Sequence, residues 1–327
     1  MKKNDLKIDA GNPSRIAFNV IAATICLFLL APEGSVAHAK SMIVPTFEFY
    51  HTDNLNGATT STQIDQNGTL VNVPDSSKPK SGNVYKGGIV WANAYSKSWG
   101  DKKFSVSPFL FSQADSGNYA PSKTVGGSLN LTLLNTAERK VTASLTVGRV
   151  MPKLTAARSN FSSVGLKFKQ IIDQTQNITF EITSSSVDVI TNSTSDPTNN
   201  SVSANYSKNL AKVKVGGSIK VTNRNSKTAS LSGKDRNISL EAKYPMGRRD
   251  IYAKYSHTES SDDIKRPTQA VAREQTSRAY ELGYSVPIPV TDLAKLTFYA
   301  KRLDANSNLA LFKSETTTFG TKFTLSF

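Results

Sequence analysis

The chain has little of the side-chain material with which enzymes and metal proteins work. It contains one cysteine, Cys26, and three histidines, of which only His51 and His257 follow residue 39. A single cysteine forms no internal disulfide, and no group of His, Cys, Asp or Glu has metal-ligand spacing. The GxSxG, HExxH, CxxC and P-loop patterns are all missing. The sequence therefore predicts no catalytic residue, no metal and no cofactor.

Long apolar runs are also scarce, since the chain has one, at residues 16–30. Its 15 residues fall short of the roughly 20 that a membrane-spanning helix needs. The segment before the run is positively charged through Lys2, Lys3, Lys7 and Arg15. A small-residue cleavage site, Ala37-His38-Ala39, follows the run. These features predict a secretory signal peptide at 1–39 and a single domain over 40–327, with an uncleaved anchor as the alternative.

Acidic residues are outnumbered by basic ones. The chain has 40 Lys and Arg against 25 Asp and Glu, and 36 against 22 remain after residue 39, a net charge of about +14. This balance attracts polyanions such as nucleic acid, lipopolysaccharide and acidic solutes. No recognised nucleic-acid-binding module accompanies the charge, and export argues against that partner. We therefore expect no nucleic acid among its partners.

What the sequence has in abundance is alternation of apolar and polar residues with a period of two. Residues 141–147, 213–221 and 280–286 show it clearly, and no amphipathic helix of ten or more residues follows residue 40. The pattern predicts an all-β, antiparallel chain of about fourteen strands, within a range of twelve to sixteen. The predicted strands cover 42–51, 83–97, 103–113, 124–135, 139–149, 162–171, 176–190, 200–208, 212–223, 235–244, 250–258, 276–286, 294–303 and 315–327.

The segments between these strands fall into two length classes that alternate along the chain. The short ones are 98–102, 136–138, 172–175, 209–211, 245–249 and 287–293; the long, polar ones include 52–82, 191–199 and 259–275. Short turns at one end and long loops at the other are typical of up-and-down membrane barrels. A secreted β-sandwich or a solenoid is the alternative, although strands of about ten residues suit a tilted membrane crossing better.

The last predicted strand adds a more specific feature. One of its faces carries Phe319, Phe323, Leu325 and Phe327. Together with the signal peptide and the alternation, this strand resembles that of bacterial outer-membrane β-barrel proteins, which ends in Phe. The resemblance implies a transmembrane β-barrel in a Gram-negative outer membrane, in contact with membrane lipid and lipopolysaccharide. It also implies that these four residues are the signal that the barrel assembly machinery reads. The length of the chain is similar to that of porins.

If the apolar stripes face lipid, the polar residues between them line the lumen. The basic residues on that predicted inner face are Lys140, Lys167, Lys169, Lys214, Lys220, Lys243, Lys254, Lys301 and Lys322, and the acidic ones are Glu181, Glu241 and Glu281. Lysines around a narrow aqueous pore attract anions and repel cations. We therefore expect a porin-like channel for passive diffusion of small solutes, with a preference for small anions. Lysines that are merely solvated, or a non-conducting barrel with a structural, adhesion or assembly role, are the alternatives.

Four further features carry expectations of their own. The first long loop, 52–82, is long enough to fold inward and gate the pore. Basic residues of the outer loops, such as Arg224, Arg266 and Arg273, are suited to bind lipopolysaccharide phosphates. Glycine pairs inside strands, such as Gly87-Gly88, predict bends or close backbone approach. Aromatic residues near strand ends, Tyr50 and Tyr252 among them, are suited to interfacial girdles.

An outer-membrane hydrolase is the least favoured alternative. Outer-membrane proteases need an Asp–His pair beside paired carboxylates, and His257 with Asp262 and Asp263 is the nearest arrangement in this chain. A histidine at the rim and a solvated acidic turn explain the same residues more simply.

Overall fold

Antiparallel strands make up most of the computed structural model, which describes residues 42–66, 69–100, 102–116, 122–152, 158–189, 196–267, 269, 271–288 and 291–325. In chain order they are β1 (Met42–Thr52), β2 (Gln63–Gln66), β3 (Thr69–Asn72), β4 (Gly82–Ala92), β5 (Tyr95–Trp99), β6 (Lys102–Asp115), β7 (Ser122–Asn135), β8 (Arg139–Pro152), β9 (Ser159–Ile171), β10 (Gln176–Val189), β11 (Pro197–Leu210), β12 (Val213–Ser226), β13 (Gly233–Met246), β14 (Arg249–Asp262), β15 (Glu274–Ile288), β16 (Thr291–Ser307) and β17 (Ser314–Leu325). No helix in these ranges is long and apolar enough to cross a membrane. The predicted signal peptide and Phe327 lie outside the described residues.

The sheet closes on itself. Each strand from β6 to β17 pairs with its neighbours in sequence, and β17 pairs with β1 from Thr46 opposite Thr324 to Thr52 opposite Thr318. β4 joins the two ends of the sheet, because it pairs with β1 on one side and with β6 on the other. With β4 and β5 counted as one interrupted strand, the barrel has the fourteen strands that the alternation predicts. The β2–β3 hairpin is a separate small sheet within the first long connection.

The predicted strand 83–97 is interrupted, which corrects one expectation from the sequence. β4 ends at Ala92 and β5 begins at Tyr95, and Asn93 between them has a left-handed backbone with a φ of 49°. Asparagine tolerates that conformation better than most residues do, and the backbone N–H of Asn93 donates to the Ser107 hydroxyl at 3.0 Å. Alternation alone does not reveal such a break, because the apolar residues continue on both sides of it.

The connections separate by length as predicted. Six connections at one end of the barrel have two to four residues, and the seven at the other end have six to 29. Both ends of the strand series, Met42 and Leu325, lie at the short-turn end. We call that end the inner end and the other the outer end, after the short periplasmic turns and long outer loops of membrane barrels. Several predicted loops are shorter in the structure, because β11 begins at Pro197 and β14 continues to Asp262.

The inner connection 172–175 shows how a short turn is held. The Asp173 carboxylate accepts hydrogen bonds from the backbone N–H of Thr175 at 2.6 Å and from the Thr175 hydroxyl at 2.7 Å. The Gln176 side chain donates to its other oxygen at 2.7 Å. Because these donors favour the charged carboxylate, they hold the pKa of Asp173 below its ordinary value.

The register assigns each strand residue to one of two faces, because directly opposite residues point the same way. One face carries large, exposed apolar side chains, among them Ile89, Leu110, Val164, Ile182, Val202, Ile219, Leu240, Leu282, Phe298 and Phe319. On the other face, side chains reach across an intervening strand, as Tyr299 does to Glu48 over β17. Such contacts need convergence on a concave surface, so this second face is the inner one. The polar interior and the apolar exterior exclude the soluble β-sandwich.

The upper edge of the apolar band gives the tilt of the strands. On β13 the outward face changes from Arg236 to Ile238, and on β1 it changes from His51 to Phe49. The hydrogen-bonded row that starts at Phe49 passes through Thr321, Phe298, Tyr284 and Ile251 and reaches Tyr244. Tyr244 lies six residues below Ile238, five strands away from β1. At about 3.3 Å per residue and about 4.8 Å per strand, this offset corresponds to a tilt of about 40°, as expected for a membrane barrel.

Candidate functional site

All nine predicted lumen lysines lie on the inner face. The register places Lys140 opposite Lys169, Lys167 opposite Glu181, Lys214 opposite Lys243, Lys220 opposite Asn237, Lys254 between Glu241 and Glu281, Lys301 opposite Glu281 and Lys322 opposite Glu48. The three predicted acidic residues share this face. Each lysine side chain is exposed or half-buried, so the ammonium groups are in contact with the solvent of the lumen.

The sequence reasoning missed several charged residues of the same face. They are Lys86, Lys103, Lys295 and Arg224 among the basic ones, and Glu48, Asp235 and Asp250 among the acidic ones. Glu48 lies between Phe47 and Phe49, and Lys295 precedes Leu296, so the alternation carried a signal for both. Asp250 and Arg224 lie close to strand ends, where the alternation stops being informative.

The charged groups divide the lumen into two unlike walls. On the wall from β13 through β17 to β1 and β4, which we call the paired wall, most ammonium groups have a carboxylate nearby. The N···O distances are 3.0 Å for Lys243–Asp250, 3.0 Å for Lys295–Asp250, 3.4 Å for Lys254–Glu241 and 3.5 Å for Lys86–Glu48. These pairs offset much of the positive charge of that wall.

The opposite wall, from β8 to β12, is called the basic wall here. It carries Lys140, Lys167, Lys169, Lys214 and Lys220 on its inner face. Its strands have one inward carboxylate among the described residues, Glu181, and none of the five lysines has a carboxylate oxygen within 4 Å there. Lys140 lies directly opposite Lys169, a like-charge pair that is unfavourable for the sheet itself. The basic wall therefore has a strong excess of positive charge.

Most of the lysines on the inner face of the barrel are concentrated near the inner end of the lumen. Those within four residues of an inner strand end are Lys103, Lys140, Lys167, Lys169, Lys214, Lys243, Lys295 and Lys322. They come from seven different strands, β6, β8, β9, β12, β13, β16 and β17, so they surround the opening. A ring of ammonium groups at one mouth attracts anions there and repels cations.

Aromatic rings on the inner face lie over glycines of the neighbouring strand. A Cβ atom on Gly283 would overlap the Tyr252 ring, and one on Gly320 would lie 2.6 Å from the Tyr299 ring. The two hydroxyls donate to Glu281 and Glu48, each at 2.8 Å. Three phenylalanines are seated in the same way: Phe111 over Gly88, Phe109 over Gly126 and Phe161 over Gly148. The contact at Gly88 agrees with the close approach to the backbone predicted for the Gly87-Gly88 pair.

Two aromatic residues that the sequence suggested for the interfacial girdles face the lumen instead. Tyr50 lies opposite Gly320 and Val84, and Tyr252 lies opposite Gly283, all on the inner face. The Lys86 ammonium lies 4.9 Å from the centre of the Tyr50 ring, and that of Lys254 lies 5.5 Å from the Tyr252 ring. Both tyrosines therefore contact lumen lysines. The expectation failed because proximity to a strand end does not determine which face a residue occupies.

A buried carboxylate at the outer end joins three arginines. Asp262, 6% exposed, pairs with Arg273 at 2.9 Å, Arg224 at 3.0 Å and Arg266 at 3.6 Å. The guanidinium groups of Arg266 and Arg273 each lie 5.1 Å from the Phe312 ring. Burial alone would raise the pKa of Asp262, but the hydrogen bonds from Arg273 and Arg224 outweigh it, so this pKa lies below the ordinary value. The expected solvated acidic turn is therefore wrong for Asp262, and these arginines are already engaged with a carboxylate.

The first connection, 53–81, is fastened to the rim above the β1–β17 seam. The Asn54 side chain donates to the backbone carbonyls of Ala58 and Glu315, at 2.9 and 3.3 Å. The Thr59 hydroxyl donates to the backbone carbonyl of Ala310 at 2.6 Å. The backbone N–H of Thr60 donates to the backbone carbonyl of Lys313 at 3.0 Å. A gating movement of this connection would have to break these hydrogen bonds.

The two histidines do not form a catalytic group with the acidic turn. His257 lies on the outward face of β14 with Nε2 3.4 Å from Glu259 Oε1, whereas Asp262 lies on the inward face of the same strand. His51 is also outward, and its Nδ1 lies 2.9 Å from Asn83 Oδ1. In the described ranges no group of three or more His, Cys, Asp or Glu is placed to hold a metal ion.

The predicted assembly signal lies on the outer face of the closing strand where it is described. Phe319 and Phe323 face outward opposite His51 and Phe47 of β1. Leu325 is the last residue of β17 and lies opposite Ala294, while Phe327 is outside the described residues. The described part of the stripe thus lies in the strand that closes the barrel, from the middle of β17 to its inner end.

The closed barrel, the outward apolar band and the charged interior define a transmembrane β-barrel of the outer-membrane type. Its fold is similar to that of an anion-selective porin from Comamonas acidovorans, with a TM-score of 0.48, 9% identity and coverage of 88% of this chain and 100% of that one. It is also similar to the TodX monoaromatic hydrocarbon channel (0.47, 10% identity, 97% and 93% covered) and to OmpT, an outer membrane protein of Vibrio cholerae (0.46, 9%, 89% and 99%). No protein-family model and no curated protein sequence matches the chain.

The seating of Tyr252 on Gly283 predicts a specific cost of adding one methyl group. In Gly283→Ala the Cβ would displace the ring, which would lose its hydrogen bond to Glu281 and turn into the lumen. We expect the free energy of unfolding to fall by about 1–3 kcal/mol, measured by denaturant titration of the refolded protein in lipid vesicles.

Gly216→Ala is the matched control for this substitution. Gly216 is also on the inner face, but the nearest atom to its Cβ would be the Tyr206 carbonyl oxygen at an ordinary 3.6 Å. Equal stability of the two variants would show that the Tyr252 ring does not depend on a bare glycine.

The arginines around Asp262 predict that this carboxylate holds the outer connection 263–273 in place. In Asp262→Ala, three neighbouring guanidinium groups lose their shared counter-charge, and we expect trypsin to cleave after Lys265 and Arg273 at least about tenfold faster, in line with the cost of breaking a largely buried ion pair. Mass spectrometry of timed digests gives the rates. Asp263→Ala is the control, because Asp263 is exposed, and equal cleavage of both variants would contradict the prediction.

Proposed function

We propose that this protein is a porin-like channel through which small solutes diffuse passively across the outer membrane, with a preference for anions. The observation that carries the proposal is the basic wall: five inward lysines of β8 to β12 with one inward carboxylate among them. Its ammonium groups are available to mobile anions because fixed carboxylates do not neutralise them.

The uneven distribution of charge supports selectivity more than the excess of lysine alone does. Two unit charges about 4 Å apart interact by about 1 kcal/mol in water and by several-fold more near a low-dielectric wall. On the paired wall, Asp250 and Glu48 take up much of this interaction internally. On the basic wall the same interaction remains for passing anions, so these are drawn along β8 to β12.

The seated aromatic rings support an open lumen rather than a filled one. Tyr252, Tyr299 and Phe161 are bulky, but each lies along the wall over a glycine. A fourteen-strand barrel is wider than the eight-strand barrels that side chains fill and narrower than the 16–18-strand porins. A pore of modest width allows wall charges to act on every solute that enters it.

Export, membrane insertion and surroundings belong to the same proposal. The segment 1–39 would direct secretion, the stripe of Phe319, Phe323, Leu325 and Phe327 would be read by the barrel assembly machinery, and the apolar band would contact outer-membrane lipid. Lipopolysaccharide would surround the outer end. Because Arg224, Arg266 and Arg273 are held by Asp262, we place any phosphate contact on other basic residues of the outer rim.

A non-conducting barrel with a structural or adhesive role is the second candidate. The observation that favours it is the bracing of the outer connections, through the arginines on Asp262 and the hydrogen bonds of residues 53–60 to β17 and the last outer connection. Braced loops are suited to display a binding surface. Current through the refolded protein separates the two candidates directly.

Neutralising three lysines of the basic wall tests the channel and its selectivity together. In Lys167→Gln/Lys169→Gln/Lys214→Gln, we expect the reversal potential in a potassium chloride gradient to move toward that of a non-selective pore. Planar-bilayer recording of the refolded protein gives this value. Absence of any conductance in the unmodified protein would instead favour the structural role.

The control removes the same number of charges from the outer surface. Lys123, Lys208 and Lys234 all face outward in the register, so Lys123→Gln/Lys208→Gln/Lys234→Gln should leave the reversal potential unchanged. If both triple variants shift it equally, net charge rather than the basic wall sets selectivity.

A further inference from the structure

Two adjacent rows of the inner face form a recess that extends from the paired wall, at β17, β1 and β4, onto β6 and β7. The first row runs Lys322, Glu48, Lys86, Gln113 and Ser122 across β17, β1, β4, β6 and β7. The second runs Thr46, Gly88, Phe111 and Thr124 across β1, β4, β6 and β7. Charged and amide groups thus lie beside a row of small residues and one aromatic ring.

The recess has the size of a small-molecule site. It encloses a cavity of about 390 Å³, within the ~300–1,000 Å³ range of ligand pockets. The Phe111 ring lies over Gly88, which has no side chain to displace it. Phe111 is half-buried and lines the cavity, so it offers an apolar surface to an occupant.

The charges of the recess leave one ammonium group available. Glu48 accepts a hydrogen bond from the Tyr299 hydroxyl at 2.8 Å and pairs with Lys86 at 3.5 Å. Lys322, which also lines the cavity, has no carboxylate oxygen within 4 Å among the described residues. An occupant therefore meets a compensated Glu48–Lys86 pair and an uncompensated Lys322.

We propose that this recess, formed by Lys322, Glu48, Lys86, Gln113, Thr46 and Phe111, is a binding subsite for small organic carboxylates with a flat apolar body. The carboxylate pairs with Lys322, while the apolar body rests on the Phe111 ring. This inference extends the proposed channel function, because it names the class of solute that the lumen retains. An inorganic anion lacks the apolar part and gains nothing from Phe111.

The test is a ligand-observed NMR titration of benzoate and acetate against the refolded full-length protein in detergent micelles. We expect benzoate to bind more tightly than acetate. Lys322→Gln should weaken both by about tenfold, the loss expected for a charge-assisted hydrogen bond, and Lys322→Arg should restore binding. Phe111→Leu should weaken benzoate and leave acetate unchanged. Circular dichroism of each variant verifies that the barrel has folded.

Lys301→Gln is the matched control. Lys301 is an inward lysine of the neighbouring β16 with no carboxylate oxygen within 4 Å in the described part of the chain, but it does not line the recess. Its substitution should leave benzoate binding unchanged. Equal losses in the Lys301 and Lys322 variants, or equal affinity for benzoate and acetate with no effect of Phe111, would overturn the subsite.

Planar-bilayer recording separates failure of the subsite from failure of the channel. If the pore conducts anions but benzoate neither blocks the current nor depends on Lys322 in the titration, the subsite is overturned while the channel stands. If benzoate binds through Lys322 and Phe111 but the protein carries no current, the channel function fails and the binding site stands.

Discussion

The pairing of β1 with β17 is the constraint on which the rest of this structure depends. In hydrocarbon there is no water to satisfy a free backbone N–H or C=O, so a sheet survives there only when it has no edge. The ladder from Thr46–Thr324 to Thr52–Thr318 removes the last edge. The first connection adds hydrogen bonds from Asn54 and Thr59 just above this ladder, so the seam between the two chain ends is tied at the rim as well.

Closure also makes the two faces chemically unlike. Side chains diverge on the outer face, which suits isolated apolar groups in lipid, and converge on the inner face, where Tyr299 reaches Glu48 across a whole strand. Convergence creates a crowding problem, and the glycines under Tyr252, Tyr299, Phe109, Phe111 and Phe161 relieve it. Within that uncrowded lumen, carboxylates compensate most lysines of one wall and leave those of the other wall exposed to solvent.

The alternation of apolar and polar residues predicted the features that depend on local sequence. The strand count and the inner placement of all nine lysines follow from this alternation, because residues two positions apart in a strand lie on the same face. What it missed depends on remote register: the arginines on Asp262 come from β12 and from the connection after β14, and Glu48 meets Tyr299 from the far end of the chain. The break at Asn93 was missed because a backbone conformation, rather than a change of pattern, interrupts the strand.

Because the strands tilt by about 40°, the rows of the inner face slope along the barrel axis. Lys322 lies near the inner end of β17, whereas Ser122 begins β7 at the outer end, yet the two belong to one hydrogen-bonded row. That row therefore rises from near the inner end of the lumen to its outer end while it turns about the barrel axis. In the proposed channel, a solute that followed this row would turn about the barrel axis as it moved from one mouth to the other.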